Sequence, residues 1–267
     1  MTTDYMQADS EFFSIVDREG PALFATIKTT AFPETYRAMF GFCAKINSLK
    51  TAMFDMIESD NPYVFKALFR CCCEHYLKFL YLFVRFVLDK SDDVGAEYFS
   101  YCGAIEARDY ATAISMAEGL LGDAVVVNVA EVLAAMYPNA PHLSMSDVES
   151  ASNQFRYRSI LRYLSRQVPG MIAKERPFLA QIVPSYALLS SFVHGGPWTD
   201  VDMANYSKPE ALGECARDAE LVFLITASVF MFTAASVARE YPGLGRIAAQ
   251  VKTVIDRFLS ESNHDEA

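Results

Sequence analysis

Residues 62–88 read PYVFKALFRCCCEHYLKFLYLFVRFVL, with apolar side chains around nearly the whole circumference of a helix. The preceding Asn61 is a typical N-cap residue, and Pro62 is favoured at the first helical position. A helix that is apolar on almost all sides is buried in the centre of a protein. The segment therefore predicts a central core helix, against which the rest of the chain packs.

One polar stripe interrupts this apolar helix. At 100° per residue its charged side chains fall within one narrow sector; they are Lys66, Arg70, Glu74, Lys78 and Arg85. Arg70 and Lys78 each lie four residues from Glu74, which is the spacing of ion pairs on a helix. Two interpretations stay open. The stripe is a solvated face with weak ion pairs, or it is a charged seam inside the bundle whose members are paired or face a ligand.

The rest of the chain is also predicted to be helical. Prolines at first helical positions and glycine-containing stops divide it into segments with apolar residues at helical spacing. We expect an all-α fold, a single multi-helix bundle of about seven to nine helices, over residues 31–260. Residues 1–30 are expected to be irregular apart from a short amphipathic piece, and residues 261–267 to form an acidic tail.

The composition restricts both compartment and chemistry. The chain has 267 residues and a net charge of −10, which excludes general nucleic-acid binding through net charge but leaves room for a local basic face. Its six cysteines form no Cys-x-x-Cys pair, and the sequence has no metal motif or Gly-rich phosphate loop. The N-terminus has no basic-then-apolar signal pattern. We therefore expect a cytoplasmic protein with free thiols, no metal and no cofactor.

The segment Leu221–Ala238 contains 18 uncharged residues. A membrane-spanning helix needs about 20 residues, most of them apolar. Four residues of this segment are Ser or Thr, and charged residues flank both of its ends. We expect a second core helix and no stable membrane insertion, with a membrane-touching helix as the alternative.

Residues 150–176 are basic within this acidic chain. They include four candidate nucleic-acid-binding residues, Arg156, Arg158, Arg162 and Arg166, of which the last three repeat every four residues. Tyr157 and Tyr163 are interleaved with them. Arginine combined with aromatic side chains is typical of surfaces that bind phosphate and stack on bases. The alternative is a solvated helix face.

His194 ends another predicted helix, directly before Gly195. A histidine at this position is typical of a helix C-terminus that glycine terminates. Ser190 lies one turn earlier, so a Ser–His pair is also considered. Such a pair would need an orienting third group and an oxyanion hole, and the sequence shows neither.

The residues Arg70 to His75 resemble the Arg-x(4–6)-His motif of the HEPN superfamily of small all-α domains. The resemblance implies a metal-independent ribonuclease of a toxin or antiviral system, in which these two residues act on the RNA phosphate and 2′-hydroxyl at a homodimer interface. On an ideal helix the two side chains lie about 140° apart. They would converge only if the helix bends or a second subunit contributes.

A second resemblance covers roughly residues 35–200. It is to uncharacterised bacterial helical proteins that are distantly HEPN-like, and it rests on an Arg-x-x-x-Glu helix and a later Tyr…Ser…His-Gly segment. The matching residues are Arg70, Glu74, Tyr186, Ser190 and His194. This resemblance implies a HEPN-like bundle in which the polar stripe meets His194.

Two functional hypotheses follow. The first is a cytosolic bacterial effector that cleaves or binds RNA, with Arg70 stabilising phosphate charge and Glu74 orienting a partner. His75 or His194 would then be the general acid or base. The second is a non-catalytic helical interaction protein with a protein partner, in which a buried Arg–Glu–His seam is structural.

Overall fold

The computed structural model describes residues 5–121, 128, 131, 145–171, 176–204 and 209–265. Within these ranges the chain forms ten α-helices of eight or more residues and no strand. This confirms the all-α class, but the helix count exceeds the seven to nine predicted. The helices are α1 (Tyr5–Ala25), α2 (Pro33–Glu58), α3 (Pro62–Asp89), α4 (Gly103–Leu121), α5 (Met145–Ser152), α6 (Tyr157–Met171), α7 (Arg176–His194), α8 (Pro197–Ala204), α9 (Pro209–Glu240) and α10 (Gly245–Asp265).

Helix α3 is the predicted central helix. It begins at Pro62, where the Asn61 side chain accepts a hydrogen bond of 3.3 Å from the backbone N–H of Val64. It packs against α2, α6, α7 and α9. Its aromatic side chains Phe65 and Phe69 are buried, as expected for a helix that is apolar on most sides. The polar stripe of α3 therefore also lies among other helices.

Helix α1 replaces the irregular segment predicted for residues 1–30, and that prediction was wrong. Its buried residues recur at helical spacing and include Phe12 and Leu23. The Phe12 ring lies edge-on to Phe223 and Phe230 of α9. The helix is stabilised by these contacts with a distant part of the chain, which rules based on local sequence do not capture.

Helix α9 contains the uncharged segment Leu221–Ala238. It packs against α1, α2, α3 and α10. Three of the four Ser and Thr side chains in this segment are satisfied within the helix, because the hydroxyls of Thr226, Thr233 and Ser236 each donate to the carbonyl one turn earlier. Among the described residues it is the one helix long and apolar enough to cross a membrane, and 67% of its most apolar window is buried in the protein.

The sequence favours one helix from Asp92 to about Gly119, but the structure divides this segment. A single helical turn (Asp93–Glu97) and a π-helical turn (Tyr98–Cys102) precede α4. The Asp92 carboxylate instead accepts the backbone N–H groups of Glu34 and Thr35, at 3.0 and 2.7 Å. It therefore caps the N-terminus of α2 from a distant position in the chain.

The sequence also favours a helix over the Val- and Ala-rich residues 122–136 and a loop over residues 137–141, and both segments lie almost wholly outside the described residues. At the other end, α10 continues through Asp265, so residues 261–265 of the predicted acidic tail are helical.

Candidate functional site

The middle of the polar stripe faces α7. The Arg70 guanidinium donates hydrogen bonds to the Glu74 carboxylate and, over 2.6 Å, to the Tyr186 hydroxyl. Lys78 Nζ lies 2.8 Å from the Glu74 carboxylate. The Arg70 side chain is 13% exposed, whereas those of Glu74 and Lys78 are 30% exposed. We call these four residues the charged seam. It is a partly buried ion-pair network, intermediate between the two interpretations that the sequence left open.

An aromatic stack supports the charged seam. The Arg70 guanidinium carbon lies 4.2 Å from the centre of the Tyr186 ring. Tyr186 in turn stacks on Tyr157 of α6, with 3.9 Å between ring centres. Burial would raise the pKa of Glu74, but hydrogen bonds to Lys78 and Arg70 and the charges of both hold that pKa below its ordinary value. Glu74 is therefore ionised at neutral pH, and the seam connects α3 to α7 by charge and by stacking.

The two ends of the polar stripe face other neighbours. Arg85 donates a hydrogen bond of 2.5 Å to Glu97, which also accepts one of 2.9 Å from the Gln154 amide. Lys66, at the other end, lies 2.7 Å from Asp202 of α8. The stripe is therefore three separate polar contacts and not one continuous site.

His75 contacts a different helix from Arg70. Its Nδ1 lies 2.7 Å from the Cys71 carbonyl oxygen, and its ring is edge-on to Phe42 of α2 with 6.0 Å between ring centres. Arg70 bonds to Tyr186 of α7 instead. Within one subunit the structure does not bring together the Arg–His pair on which the resemblance to the HEPN superfamily rests.

We expect His75 to be neutral at pH 7. Burial disfavours the imidazolium form and lowers the pKa of His75 below its ordinary value of 6.5. In an NMR titration, the imidazole resonance that disappears in His75→Gln should titrate with a midpoint below 6.5. A midpoint above 6.5 would contradict the claim that burial disfavours the imidazolium form of His75. More of the imidazole would then be protonated at neutral pH, as a general acid requires.

His194 is exposed at the C-terminal end of α7. Gly195 follows with a φ of +63°, so the helix ends with glycine in the left-handed conformation, as the capping interpretation predicted. Ser190 donates its hydroxyl to the Tyr186 carbonyl within the helix, over 2.9 Å. His194 lies eight residues after Tyr186, about 12 Å along the helix axis. The structure therefore separates His194 from the charged seam, and it offers no Ser–His pair at this helix end.

Four arginines form an exposed face along α6 and directly before it. Arg156, Arg158, Arg162 and Arg166 are exposed, and none makes an ion pair with a described residue. Arg217 and Arg239 of α9 also make no ion pair with a described residue, whereas seven other arginines each have a carboxylate partner: Arg18, Arg37, Arg70, Arg85, Arg108, Arg246 and Arg257. We call the four exposed residues the arginine face. Their exposure agrees with the sequence prediction.

The two tyrosines between these arginines face the protein interior. Tyr157 stacks on Tyr186, and the Tyr163 ring lies 5.1 Å from that of Tyr81 on α3. Both tyrosines are partly buried on the side of α6 that packs against its neighbours. Stacking on bases therefore stays a prediction, which this packing does not favour because each ring already contacts another tyrosine.

Sequence reasoning missed a cavity of about 490 Å³ between α3, α7, α8 and α9. Its ionisable lining residues are Lys66, Asp202, Glu214, Arg217 and Asp218. Lys66 is buried, and its Nζ lies 2.7 Å from Asp202 and 3.7 Å from Glu214. Burial raises the pKa of Asp218 to about 6, although the charge of Lys66 opposes the rise. The acidic residues come from two helices and share no motif spacing, so only the lysine on an apolar helix could have indicated this site.

The described residues contain no group of three or more His, Cys, Asp or Glu side chains that could hold a metal ion. All six cysteines are free thiols. Burial raises the pKa of Cys72, Cys73 and Cys215, the last to about 11. These three thiols stay protonated at neutral pH and are poor nucleophiles.

No protein-family model, curated protein or solved structure matches this chain. The resemblance to the HEPN superfamily therefore rests on the motif residues alone. Function has to be inferred from three places in the fold: the charged seam, the arginine face and the cavity beside Lys66.

Proposed function

We propose that this chain is a cytosolic protein that binds single-stranded RNA through the arginine face and does not cleave RNA with its α3 motif. One observation carries the proposal: Arg156, Arg158, Arg162 and Arg166 are exposed and have no ion-pair partner among the described residues. In a chain with a net charge of −10, internal carboxylates are plentiful. A helix face that nevertheless keeps its arginines unpaired suits an anionic partner.

The chemistry of the arginine face favours phosphate as that partner. Guanidinium groups bind phosphate through two parallel hydrogen bonds and carry a permanent charge. Arg158, Arg162 and Arg166 follow one another at intervals of four residues, about 6 Å along the helix. Such a row can follow the backbone of a single strand. We take RNA as the nucleic acid because the motif residues of α3 resemble those of an RNA-acting superfamily; single-stranded DNA of the same length is the comparison ligand.

Binding by this face should have little sequence preference. Phosphate contacts position a nucleic acid but do not read its bases. The tyrosines that could have stacked on bases, Tyr157 and Tyr163, contact other tyrosines of the protein instead. We therefore expect similar affinities for RNAs of different sequence and a strong dependence on salt.

The geometry of α3 supports binding without cleavage. The Arg70 guanidinium is engaged by Glu74 and Tyr186 through its two terminal nitrogens, and its remaining Nε, which has no partner among the described residues, is buried out of reach of a substrate phosphate. His75 contacts α2 and is expected to be neutral. The charged seam then has a structural role, as in the hypothesis of a non-catalytic helical protein.

The experiment is fluorescence anisotropy with an end-labelled single-stranded RNA at about 50 mM salt, where phosphate contacts are strong. The native protein should bind, and the variant Arg158→Gln/Arg162→Gln/Arg166→Gln should bind at least about tenfold more weakly. The matched control is Arg239→Gln/Lys252→Gln/Arg257→Gln, which removes the same charge from exposed positions outside the arginine face. The control should bind like the native protein.

Two results would overturn the proposal. Equal losses in both variants would indicate a general charge effect and no site on α6. Unchanged binding in the α6 variant would place the RNA elsewhere. The same mixture, incubated with a metal chelator, should also keep its RNA at full length. Cleavage that His75→Ala abolishes would reinstate the catalytic hypothesis.

A further inference from the structure

The cavity beside Lys66 has a charged floor and an apolar rim. Phe69 of α3 and Phe192 of α7 are buried in its wall. Its rim carries three large apolar side chains that are exposed: Leu188 (55%), Trp198 (68%) and Val201 (62%). A cavity of about 490 Å³ with apolar walls and a few convergent polar groups has the ordinary form of a small-molecule site.

The buried cation of this cavity, Lys66, is already partnered, whereas the second cation, Arg217, is exposed and makes no ion pair with a described residue. Lys66 Nζ is close to Asp202 and Glu214, and it lies 5.3 Å from the centre of the Phe192 ring. Its side chain is only 8% exposed. An anionic ligand would have to displace these contacts, so Lys66 is a poor centre for binding phosphate or a carboxylate.

The carboxylates that line the cavity are not all paired with cations. The lining holds three carboxylates, those of Asp202, Glu214 and Asp218, against the two cations Lys66 and Arg217. Asp218 is partly buried and makes no hydrogen bond or ion pair with a described residue. A carboxylate that burial shields only partly from water, and that has no hydrogen-bond partner among the described residues, still carries a desolvation cost that a ligand cation would relieve.

We propose that this cavity binds a small amine: one ammonium group on an apolar, preferably aromatic or aliphatic, body. The ammonium group donates hydrogen bonds to the Asp218 carboxylate and balances the excess negative charge of the lining. The Trp198 indole, exposed on the rim, attracts the same cation through its ring face. The apolar body packs against Leu188 and Val201, which otherwise remain in contact with water. This site is independent of the arginine face.

The test uses Trp198 as its own reporter, because it is the only tryptophan of the chain. Three probes of similar shape differ in charge: phenethylamine is a cation, phenethyl alcohol is neutral and 3-phenylpropionate is an anion. Phenethylamine should change the tryptophan fluorescence saturably at pH 7.5. The alcohol and the anion should bind at least about tenfold more weakly, since a hydrogen bond to a charged group is worth about that factor.

The variant Asp218→Asn keeps the side-chain shape and should weaken phenethylamine binding at least about tenfold while leaving the affinity for the alcohol unchanged. Asp200→Asn is the matched control. Asp200 is exposed on α8, the helix that also carries the rim residues Trp198 and Val201, but it does not line the cavity. Equal affinity for the amine and the alcohol would overturn the proposal. So would unchanged amine binding by a folded Asp218→Asn protein, or no saturable signal at all.

The pH dependence gives a second readout. The charged groups that act on Asp218 are Lys66 of α3 and Glu214 and Arg217 of α9, with Asp202 of α8 in the same lining; the nearby thiols of Cys73 and Cys215 stay protonated. Because the pKa of Asp218 is raised to about 6, lowering the pH from 7.5 to 5 should weaken amine binding about tenfold as this carboxylate takes up a proton. Asp218→Asn should show no such change. A flat profile in the native protein would contradict the assignment of Asp218.

Discussion

The variant Glu74→Ala is expected to lower the free energy of unfolding by about 2 kcal/mol at pH 7, and the melting temperature by about 4–6 °C. Removing one member of a fully buried ion pair costs about 3–5 kcal/mol, and the partial exposure of Glu74 reduces that figure. The loss arises because Arg70, only 13% exposed, keeps just the Tyr186 hydroxyl as a partner. Thermal or urea denaturation measures the change.

The exposed pair Lys252–Asp256 on α10 is the control, because it has the same four-residue spacing and both side chains are more than half exposed. Asp256→Ala should cost less than about 0.5 kcal/mol. The pKa of Glu74 is lowered in the folded protein. The contribution of its charge to the free energy of unfolding is therefore complete above the ordinary pKa of 4.5, and it disappears as the pH falls through the lower pKa of the folded state. Equal effects of Glu74→Ala and Asp256→Ala at pH 7 would show that the charged seam is an ordinary solvated face.

Asp218→Asn is expected to change stability in the opposite direction, with a gain of about 1–3 kcal/mol at pH 7.5. Burial raises the pKa of Asp218 from 3.8 to about 6 despite the nearby charge of Lys66. At pH 7.5 the folded protein must therefore hold an ionised carboxylate in an unfavourable place. Asparagine has the same shape and no charge, so it removes that penalty.

The pH profile of this gain has a defined sign. The pKa of Asp218 is higher in the folded state, so the folded protein favours the protonated carboxyl group. The penalty for folding with an ionised Asp218 is therefore absent below pH 3.8 and is complete once the pH has risen through about 6. The advantage of Asp218→Asn should therefore vanish near pH 4. Asp200→Asn, at an exposed site, should stay within about 0.5 kcal/mol of the native protein at both pH values. A loss of stability in Asp218→Asn at pH 7.5 would mean that the carboxylate has a partner.

A residue that lowers stability at the working pH is a common mark of a functional site. If both results for Asp218 are obtained, the cavity beside Lys66 keeps a destabilising carboxylate that its proposed ligand would neutralise. The charged seam is the opposite case. Its ionised groups pair with one another, apart from the buried Arg70 Nε, and we expect Glu74 to stabilise the fold without a ligand.

The helical class and the central place of α3 could be predicted from the sequence because both depend on local patterns. Asn61 and Pro62 mark the beginning of the helix, and the apolar residues around it require burial. The exposed arginines of α6 were predictable for the same reason, since a spacing of four residues places them on one side of a helix.

Helix α1 and the cavity could not be predicted in this way. The stabilising contacts of Phe12 are with Phe223 and Phe230, more than 200 residues later in the chain. The cavity likewise joins Lys66 to acidic residues on α8 and α9. Such contacts depend on how distant helices pack, and no local spacing encodes them.

The contacts of the motif residues Arg70 and His75 could not be predicted from their spacing in the sequence either. Arg70 and His75 are close in sequence but contact different neighbours, Tyr186 on α7 and Phe42 on α2. The rotation of about 100° per residue separates them, and the structure offers no bend that reunites them within one subunit. The short motif match therefore joins an arginine of the charged seam to a histidine that contacts another helix, and catalysis by this pair stays a prediction.

The most direct test of the central claim is the slope of log RNA affinity against log salt concentration, measured for the native protein and for Arg158→Gln/Arg162→Gln/Arg166→Gln. Each phosphate contact on a single strand contributes about 0.7 to this slope. If the arginine face holds the RNA backbone, removal of three arginines should flatten the slope by about 2 units while RNA stays uncleaved. The same slope in both proteins would contradict the proposal that RNA binds to α6.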